Sequence, residues 1–145
     1  MYKVVVVGTD GSPSAGKALE AAADVARSLG ARLHLVTAYQ VSVAGMGHVA
    51  HASIVDPAEA YAAAQETAKG IGDRAIEAYG DRLEIEAHVV NADAATAIID
   101  TAGAVGADLI VVGSKGMKGA RRVLGSVPNS VAHAANCAVL IAKTH

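Results

Sequence analysis

Short apolar runs recur along the chain, separated by stretches with helical spacing. Four consecutive valines, Val4 to Val7, are typical of a strand buried on both faces, and Leu109 to Val112 has the same character. Arg32 to Tyr39 and Ala138 to Ala142 are two further runs of strand length. Arg82 to Val90 alternates apolar and polar residues, which predicts a strand with one solvent-exposed face near a sheet edge.

Between these strands, apolar residues recur at helical spacing in four segments: Ser14 to Leu29, Pro57 to about Tyr79, Ala94 to Val105 and Ser126 to Ala135. Ser12 is expected to begin the first helix and Gly30 to end it. Asp93 is a suitable cap for the third helix, and Ser126, with Pro128 shortly after it, for the fourth.

The order is therefore β-α-β-α-β-α-β-α-β, with five strands and four helices. This alternation predicts an α/β fold, a doubly wound, Rossmann-like parallel sheet with helices on both faces, as one domain over residues 1–145. Gln40 to Asp56 has no clear period, and we interpret it as a lid or crossover loop. Ligands of such sheets bind beyond the carboxyl ends of the strands, where Asp10, Tyr39 and Gly113 are expected on one rim.

Composition narrows the classes of function. The 12 basic and 14 acidic residues give a net charge of −2, which argues against a nucleic-acid or anionic-membrane surface. All the aromatic residues are tyrosines, and they are too few for a base-stacking platform. The single Cys137 excludes an intrachain disulfide and fits a reducing compartment. With no signal-peptide pattern and no membrane-spanning run, we expect a cytoplasmic protein.

The loop from Gly113 to Gly125 combines four glycines with four cationic residues, Lys115, Lys118, Arg121 and Arg122. It follows a buried strand and leads into a helix, where glycines allow close approach of backbone N–H groups and the helix start attracts anions. The pattern predicts a phosphate site, and at least one of Arg121 and Arg122 is expected to meet phosphate. The loop is not a Walker P-loop, because Gly-x4-Gly-Lys-[Ser/Thr] is absent.

Other polar residues leave alternatives open. Asp10 either caps the turn before the first helix or contacts the ligand directly, and we favour the ligand role. His48-x2-His51 has the spacing of a metal pair but no nearby cysteine, so zinc is disfavoured there. His34 and His88 are expected to be packed or surface residues. No Ser/His/Asp or Cys/His set has supporting context, so we predict no catalytic residue.

Three segments resemble the universal stress protein family, in its single-domain, UspA-like, nucleotide-binding form. They are Val5 to Ser12, Ala107 to Gly116 and Leu124 to Val131, and the resemblance covers essentially the whole chain. The ATP-binding signature of that family is Gly-x2-Gly-x9-Gly-[Ser/Thr]. Gly113-x2-Gly116 fits this signature, whereas the spacer Met117 to Leu124 has eight residues.

The resemblance implies ATP as the ligand and particular roles for individual residues. Asp10, beside Thr9, would face the ribose or a nucleotide-bound Mg²⁺. The backbone of Thr37 and Ala38 would meet the adenine. The ribose and phosphates would lie against the loop and the following helix start, at Gly113, Ser114, Lys115, Gly116, Arg122, Gly125, Ser126 and Val127. A homodimer through the last strand, Ala138 to Ala142, is also implied.

The leading hypothesis is thus a cytoplasmic, dimeric, ATP-binding stress-response protein that acts as a sensor or interaction module, with little or no hydrolysis. Two alternatives remain. One is a nucleotide-processing enzyme, such as a slow ATPase, that uses the same crevice. The other is a member that binds cyclic AMP or no nucleotide, which the eight-residue spacer motivates. The downstream protein partner is unknown.

Overall fold

Strands and helices alternate in the predicted order in the computed structural model, which describes residues 1–41, 56–114 and 124–144. The strands are β1 (Val4–Gly8), β2 (Arg32–Tyr39), β3 (Ile85–Asn91), β4 (Leu109–Gly113) and β5 (Ala138–Ala142). The helices are α1 (Pro13–Leu29), α2 (Pro57–Tyr79), α3 (Ala94–Val105) and α4 (Ser126–Ala134). Most of the loop predicted from Gln40 to Asp56 lies outside the described residues.

The five strands form one parallel sheet in the order β3-β2-β1-β4-β5, which confirms the predicted fold class. β3 is an edge strand, as its alternating pattern predicts. It begins at Ile85 rather than at Arg82. The reason is that the Arg82 N–H donates back to the carbonyl of Tyr79 and closes the turn after α2. Arg82 is therefore turn backbone, and the register with β2 starts where Ile85 meets Leu33.

Apolar side chains are buried on both faces of the sheet, which explains the run of four valines in β1. Val5 and Val7 pack with α1 and α2 on one face. Val6 packs on the other face with Ile98 of α3 and Val131 of α4. Because neighbouring side chains of a strand point to opposite faces, an uninterrupted apolar run is required wherever both faces are covered.

Side-chain caps fix the starts of the first three helices. The hydroxyl of Ser12 accepts from the N–H of Ala15 at 3.2 Å, and Asp93 accepts from the N–H of Thr96 at 3.0 Å, as predicted. The prediction that Ser126 caps α4 is wrong. The chain enters the helix one residue earlier, because Gly125 has the extended backbone of a cap position and Ser126 is already helical.

Candidate functional site

A cavity of about 460 Å³ opens beyond the carboxyl ends of β1 and β4. The strand order reverses between these two neighbours, which is where doubly wound sheets bind ligands. The volume is within the usual range for small-molecule sites. Strand ends and the first turns of three helices form the wall: Gly8, Thr9, Asp10, Ser12, Ser14, Ala15, Val36, Ala38, Ala94, Ile98, Val112, Gly113, Gly125, Ser126, Val127 and Pro128.

The turn from β1 to α1 forms one side of this cavity. The N–H of Thr9 donates to the carbonyl of Val36 at 2.9 Å, which fixes the turn to the end of β2. A carboxylate oxygen of Asp10 accepts from the N–H of Ser12 at 2.8 Å, and Gly11 has a positive φ of 79°. Asp10 therefore makes the local turn bond while its exposed side chain lines the cavity. Both roles considered for Asp10 from the sequence are compatible with this geometry.

The first turn of α4 forms the opposite side. Each of α1, α2 and α3 begins with a side chain that accepts a backbone N–H, whereas no described side chain does so for α4. Ser126 and Val127 contribute backbone N–H groups to this turn, and all three residues from Ser126 to Pro128 line the cavity. Uncapped N–H donors and the positive end of the helix dipole together favour an anion at this position.

The end of β4 is fixed by contacts inside the protein. The hydroxyl of Ser114, a fully buried residue, accepts from the N–H of Thr144 at 3.2 Å. A Cβ added to Gly113 would lie 2.9 Å from Cγ2 of Thr144. Packing against the C-terminal segment therefore accounts for the glycine, whereas the sequence-based interpretation attributed the loop glycines to phosphate approach.

Apolar atoms form most of the cavity surface. Val36, Ile98 and Val112 contribute apolar side chains to this wall, as is usual in small-molecule sites. The hydroxyls of Ser12 and Ser14 at the start of α1, and of Ser126 at the start of α4, provide hydrogen-bonding groups in the same wall. Among the described lining residues, Asp10 is the one with an ionisable side chain. The cavity can therefore enclose an apolar ring and present donors to an anion.

The structure brings together seven of the predicted site residues at the cavity: Thr9, Asp10, Ala38, Gly113, Gly125, Ser126 and Val127. Thr37 and Ser114 are buried and are not part of the wall. Lys115, Gly116, Arg121 and Arg122 lie outside the described residues, as do His48 and His51. The nucleotide-binding role of each predicted residue stays a prediction.

Sequence reasoning missed the first turns of α1 and α3 as parts of the wall. Ser14 and Ala15 of α1 and Ala94 of α3 line the cavity. The signal that could have found them is topological. A helix that follows a parallel strand starts at the same rim at which that strand ends. Each predicted helix start is therefore a candidate part of the cavity wall.

Comparison with known proteins extends over nearly the whole chain. Residues 1–143 match the family model described as the universal stress protein family. The universal stress protein Rv1636 of Mycobacterium tuberculosis is 36% identical over 149 aligned positions, which cover 99% of this chain and 97% of that protein.

Solved structures show the same agreement. A crystal structure of a universal stress protein in complex with cAMP has 34% sequence identity and a TM-score of 0.73, and covers 99% of this chain and 98% of its own. The universal stress protein from Archaeoglobus fulgidus has 25% identity and a TM-score of 0.74, with 99% and 100% covered. Sequence and fold are thus similar from one end of the chain to the other.

Proposed function

Since this chain belongs to the universal stress protein family, as its motifs predict, we propose that the cavity binds an adenine nucleotide. The phosphates lie at the first turn of α4, and the base lies against the apolar wall at the end of β2. The observation that carries this proposal is the first turn of α4, which no described side chain caps and whose residues Ser126 and Val127 line the cavity.

The choice of nucleotide rests on two different supports. The Gly113-x2-Gly116 and Gly125-Ser126 motifs favour ATP, which we propose as the first candidate. Cyclic AMP is the second candidate, because the relative with 34% identity was crystallised with cAMP. The eight-residue spacer from Met117 to Leu124 also shortens the loop available to enclose a triphosphate.

We assign binding rather than rapid turnover to this cavity. Hydrolysis of ATP requires a positioned water and a group that orients or deprotonates it. Asp10 supplies the one carboxylate of the described wall, and one of its oxygens already accepts from the N–H of Ser12. In this proposal Asp10 contacts the ribose hydroxyls or a nucleotide-bound Mg²⁺, for which a carboxylate oxygen is a suitable ligand.

The proposal includes a homodimer that works as a nucleotide-dependent sensor or interaction module in the cytoplasm. β5 supports it, because this outer strand pairs only with β4 among the described strands and carries the exposed Leu140 and Ile141. None of the helices that the structure describes is long and apolar enough to cross a membrane. The absence of nucleic-acid binding stays a prediction.

Calorimetric titration with ATP, ADP, AMP and cyclic AMP tests the ligand. The informative variant is Ser126→Asp. A carboxylate in the first turn of α4 interacts favourably with the helix dipole, so the helix is retained, but it repels phosphate. We expect it to weaken nucleotide binding about tenfold or more, which corresponds to about 1.4 kcal/mol. Ser130→Asp places the same charge one turn further along the same helix, where Ser130 is exposed, and serves as the matched control.

The outcomes separate the parts of the proposal. Absence of heat with all four nucleotides would refute nucleotide binding. Normal binding by Ser126→Asp would show that the phosphates lie elsewhere. Rapid multiple turnover of ATP in the presence of Mg²⁺ would identify an enzyme and contradict the sensor role.

A further inference from the structure

A second cluster of polar side chains lies on β2 and β3, and none of its residues lines the cavity. Nδ1 of His34 is 2.9 Å from Nε2 of His88. The two carboxylate oxygens of Glu86 lie 3.8 Å from these nitrogens, Oε2 from His34 and Oε1 from His88. The atoms that could bind a metal ion all lie within 4.8 Å of one another. Two imidazoles and a carboxylate thus converge on one point.

The strand register produces this convergence. His34 of β2 is paired directly with Glu86 of β3, and His88 follows Glu86 by two residues. Residues two apart on a strand share a face, so Glu86 and His88 both lie on the face that carries His34. His88 is in turn the partner of Val36, which places its ring diagonally across from His34.

The three side chains are increasingly buried in the order Glu86, His88, His34. The side chain of Glu86 is 66% exposed, that of His88 24% and that of His34 7%. Burial lowers the pKa of His34, and the neighbouring His88 lowers it further. The neutral imidazole, which has a lone pair on one ring nitrogen, is the form that binds metal ions. The cluster is therefore shielded from solvent at His34 and open to solvent at Glu86.

We propose that His34, His88 and Glu86 form a binding site for a divalent transition-metal ion, Zn²⁺ in the first instance. Two imidazole nitrogens and a carboxylate oxygen are an established zinc ligand set, with a fourth position left for water. The exposed side of Glu86 provides access for that water. None of the three residues belongs to the described wall of the nucleotide cavity.

The distances define the adjustments that a bound ion requires. Zinc–nitrogen bonds of about 2.0 to 2.1 Å at tetrahedral angles place ligand atoms roughly 3.3 Å apart. The nitrogen pair, now 2.9 Å apart, must therefore separate by a few tenths of an ångström. A single Glu86 oxygen must approach both nitrogens from within 4.8 Å, a larger shift that its exposed side chain can make. Each imidazole then carries its proton on its other ring nitrogen, His34 on Nε2 and His88 on Nδ1. The proton that lies between the two facing nitrogens in the metal-free hydrogen bond therefore moves to the other nitrogen of the ring that donates it.

The surrounding charges favour a cation. Glu84 and Arg32 also act electrostatically on His34, with opposite signs. Together with Glu86 this gives two carboxylates against one guanidinium. A bound ion would link the edge strand β3 to its neighbour β2, so zinc is expected to raise the thermal stability of the protein.

Zinc binding to the chelator-treated protein, measured in competition with a chromogenic chelator, tests the proposal. His88→Ala is the main variant, because His88 is less buried than His34. Its thermal melt without metal verifies that the chain folds. We expect His88→Ala to weaken Zn²⁺ binding about tenfold or more, Glu86→Gln to weaken it less, and exposed His133→Ala to leave it unchanged. Cobalt(II) should give the intense visible absorption of a tetrahedral site in the wild type but not in His88→Ala.

A double variant, His48→Ala with His51→Ala, distinguishes this site from the histidine pair outside the described residues. The proposal requires that the double variant still binds one Zn²⁺ per chain and still melts at a higher temperature in zinc. It is overturned if wild-type protein binds no Zn²⁺, if His88→Ala binds it as the wild type does, or if the double variant abolishes binding.

Discussion

The backbone N–H of Thr144 donates a hydrogen bond to the hydroxyl of Ser114, with 3.2 Å between the two atoms. The N–H of Ser114 in turn donates to the carbonyl of Ala142 at 2.9 Å. These bonds fix the end of β4 to the segment that follows β5. Ser114, which family resemblance associates with the ligand, is thus buried and hydrogen-bonded within the protein.

Ser114→Ala is therefore expected to affect stability more than binding. The substitution leaves the buried N–H of Thr144 without this acceptor, a loss that costs about 1 to 3 kcal/mol. Because Ser114 does not line the cavity, nucleotide affinity should change little. Urea unfolding gives the free energy of unfolding, and calorimetry gives the affinity of the same variant.

Ser126→Ala is the matched control, since Ser126 is exposed and lines the cavity at α4. It should leave the free energy of unfolding within about 0.5 kcal/mol of the wild type. Equal stability of Ser114→Ala and wild type would contradict the structural role of Ser114. A large loss of affinity in Ser114→Ala, with the fold intact, would return Ser114 to the ligand site.

A second prediction concerns Gly8, at the end of β1. An added Cβ would lie 2.5 Å from Cδ1 of Ile98, so Gly8→Ala forces the end of that side chain to move. Ile98 is part of the cavity wall, and its displaced methyl group would occupy ligand space. We expect a loss of nucleotide affinity by calorimetry and a destabilisation of about 1 kcal/mol or more by urea unfolding.

The double variant Gly8→Ala with Ile98→Val removes Cδ1, the atom in closest contact, and should recover part of both losses. Gly16→Ala is the control for adding a methyl group, because in the described part of the chain no atom outside the adjoining helix backbone lies within 4 Å of its new Cβ. Gly16 lies in α1, so this change should stabilise the protein by about 0.5 to 1 kcal/mol. Additive effects of the two changes in the double variant would contradict the proposed contact.

Local patterns were sufficient for the elements and their order. The runs Val4 to Val7 and Leu109 to Val112 predict buried strands, because only strands covered on both faces are uninterrupted in this way. The caps at Ser12 and Asp93 follow from side-chain chemistry within three residues. The start of α4 is the exception, since Gly125 takes the cap position that a serine would be expected to hold.

Contacts between segments that are distant in the sequence could not be predicted from local sequence patterns. The meeting of His34 and His88 requires the register of β2 on β3, which depends on how two strands separated by a whole helix align. The same holds for Ser114, whose partner lies thirty residues further along the chain. At the cavity, topology predicted the rim and Asp10, but which side chains face inward depends on tertiary packing.

A third prediction is an acid-sensitive bond between the N-terminus of β1 and the turn before β4. Asp108 accepts from the N–H groups of Lys3 at 2.7 Å and Val4 at 3.0 Å, and these bonds hold its pKa below the ordinary value. A depressed pKa stabilises the fold above the pKa of the unfolded chain, about 3.9. That stabilisation is lost as the pH falls through the lower pKa of the folded state.

Asp108→Asn should therefore be less stable than the wild type at pH 7 and lose less stability between pH 5 and acidic pH. Urea unfolding at a series of pH values measures both effects. Some acid dependence should persist, because hydrogen bonds from Thr96 also lower the pKa of Asp93. Asp100→Asn, at an exposed position in α3, is the control and should follow the wild-type curve. A parallel curve for Asp108→Asn would contradict the role of these two bonds.

The final prediction concerns the dimer that we propose through β5. Leu140 and Ile141 are exposed on opposite faces of this strand, which is outermost among the described strands and whose outer edge would pair with the same strand of a second chain. Leu140→Lys with Ile141→Lys places charges beside that edge, so the wild type should have the mass of two chains in light scattering and the variant that of one. The variant should still fold, because neither side chain is buried.

Ile76→Lys changes a similarly exposed residue of α2 and should remain dimeric. If the wild type is monomeric, or if Ile76→Lys dissociates and the β5 variant does not, β5 is not the interface.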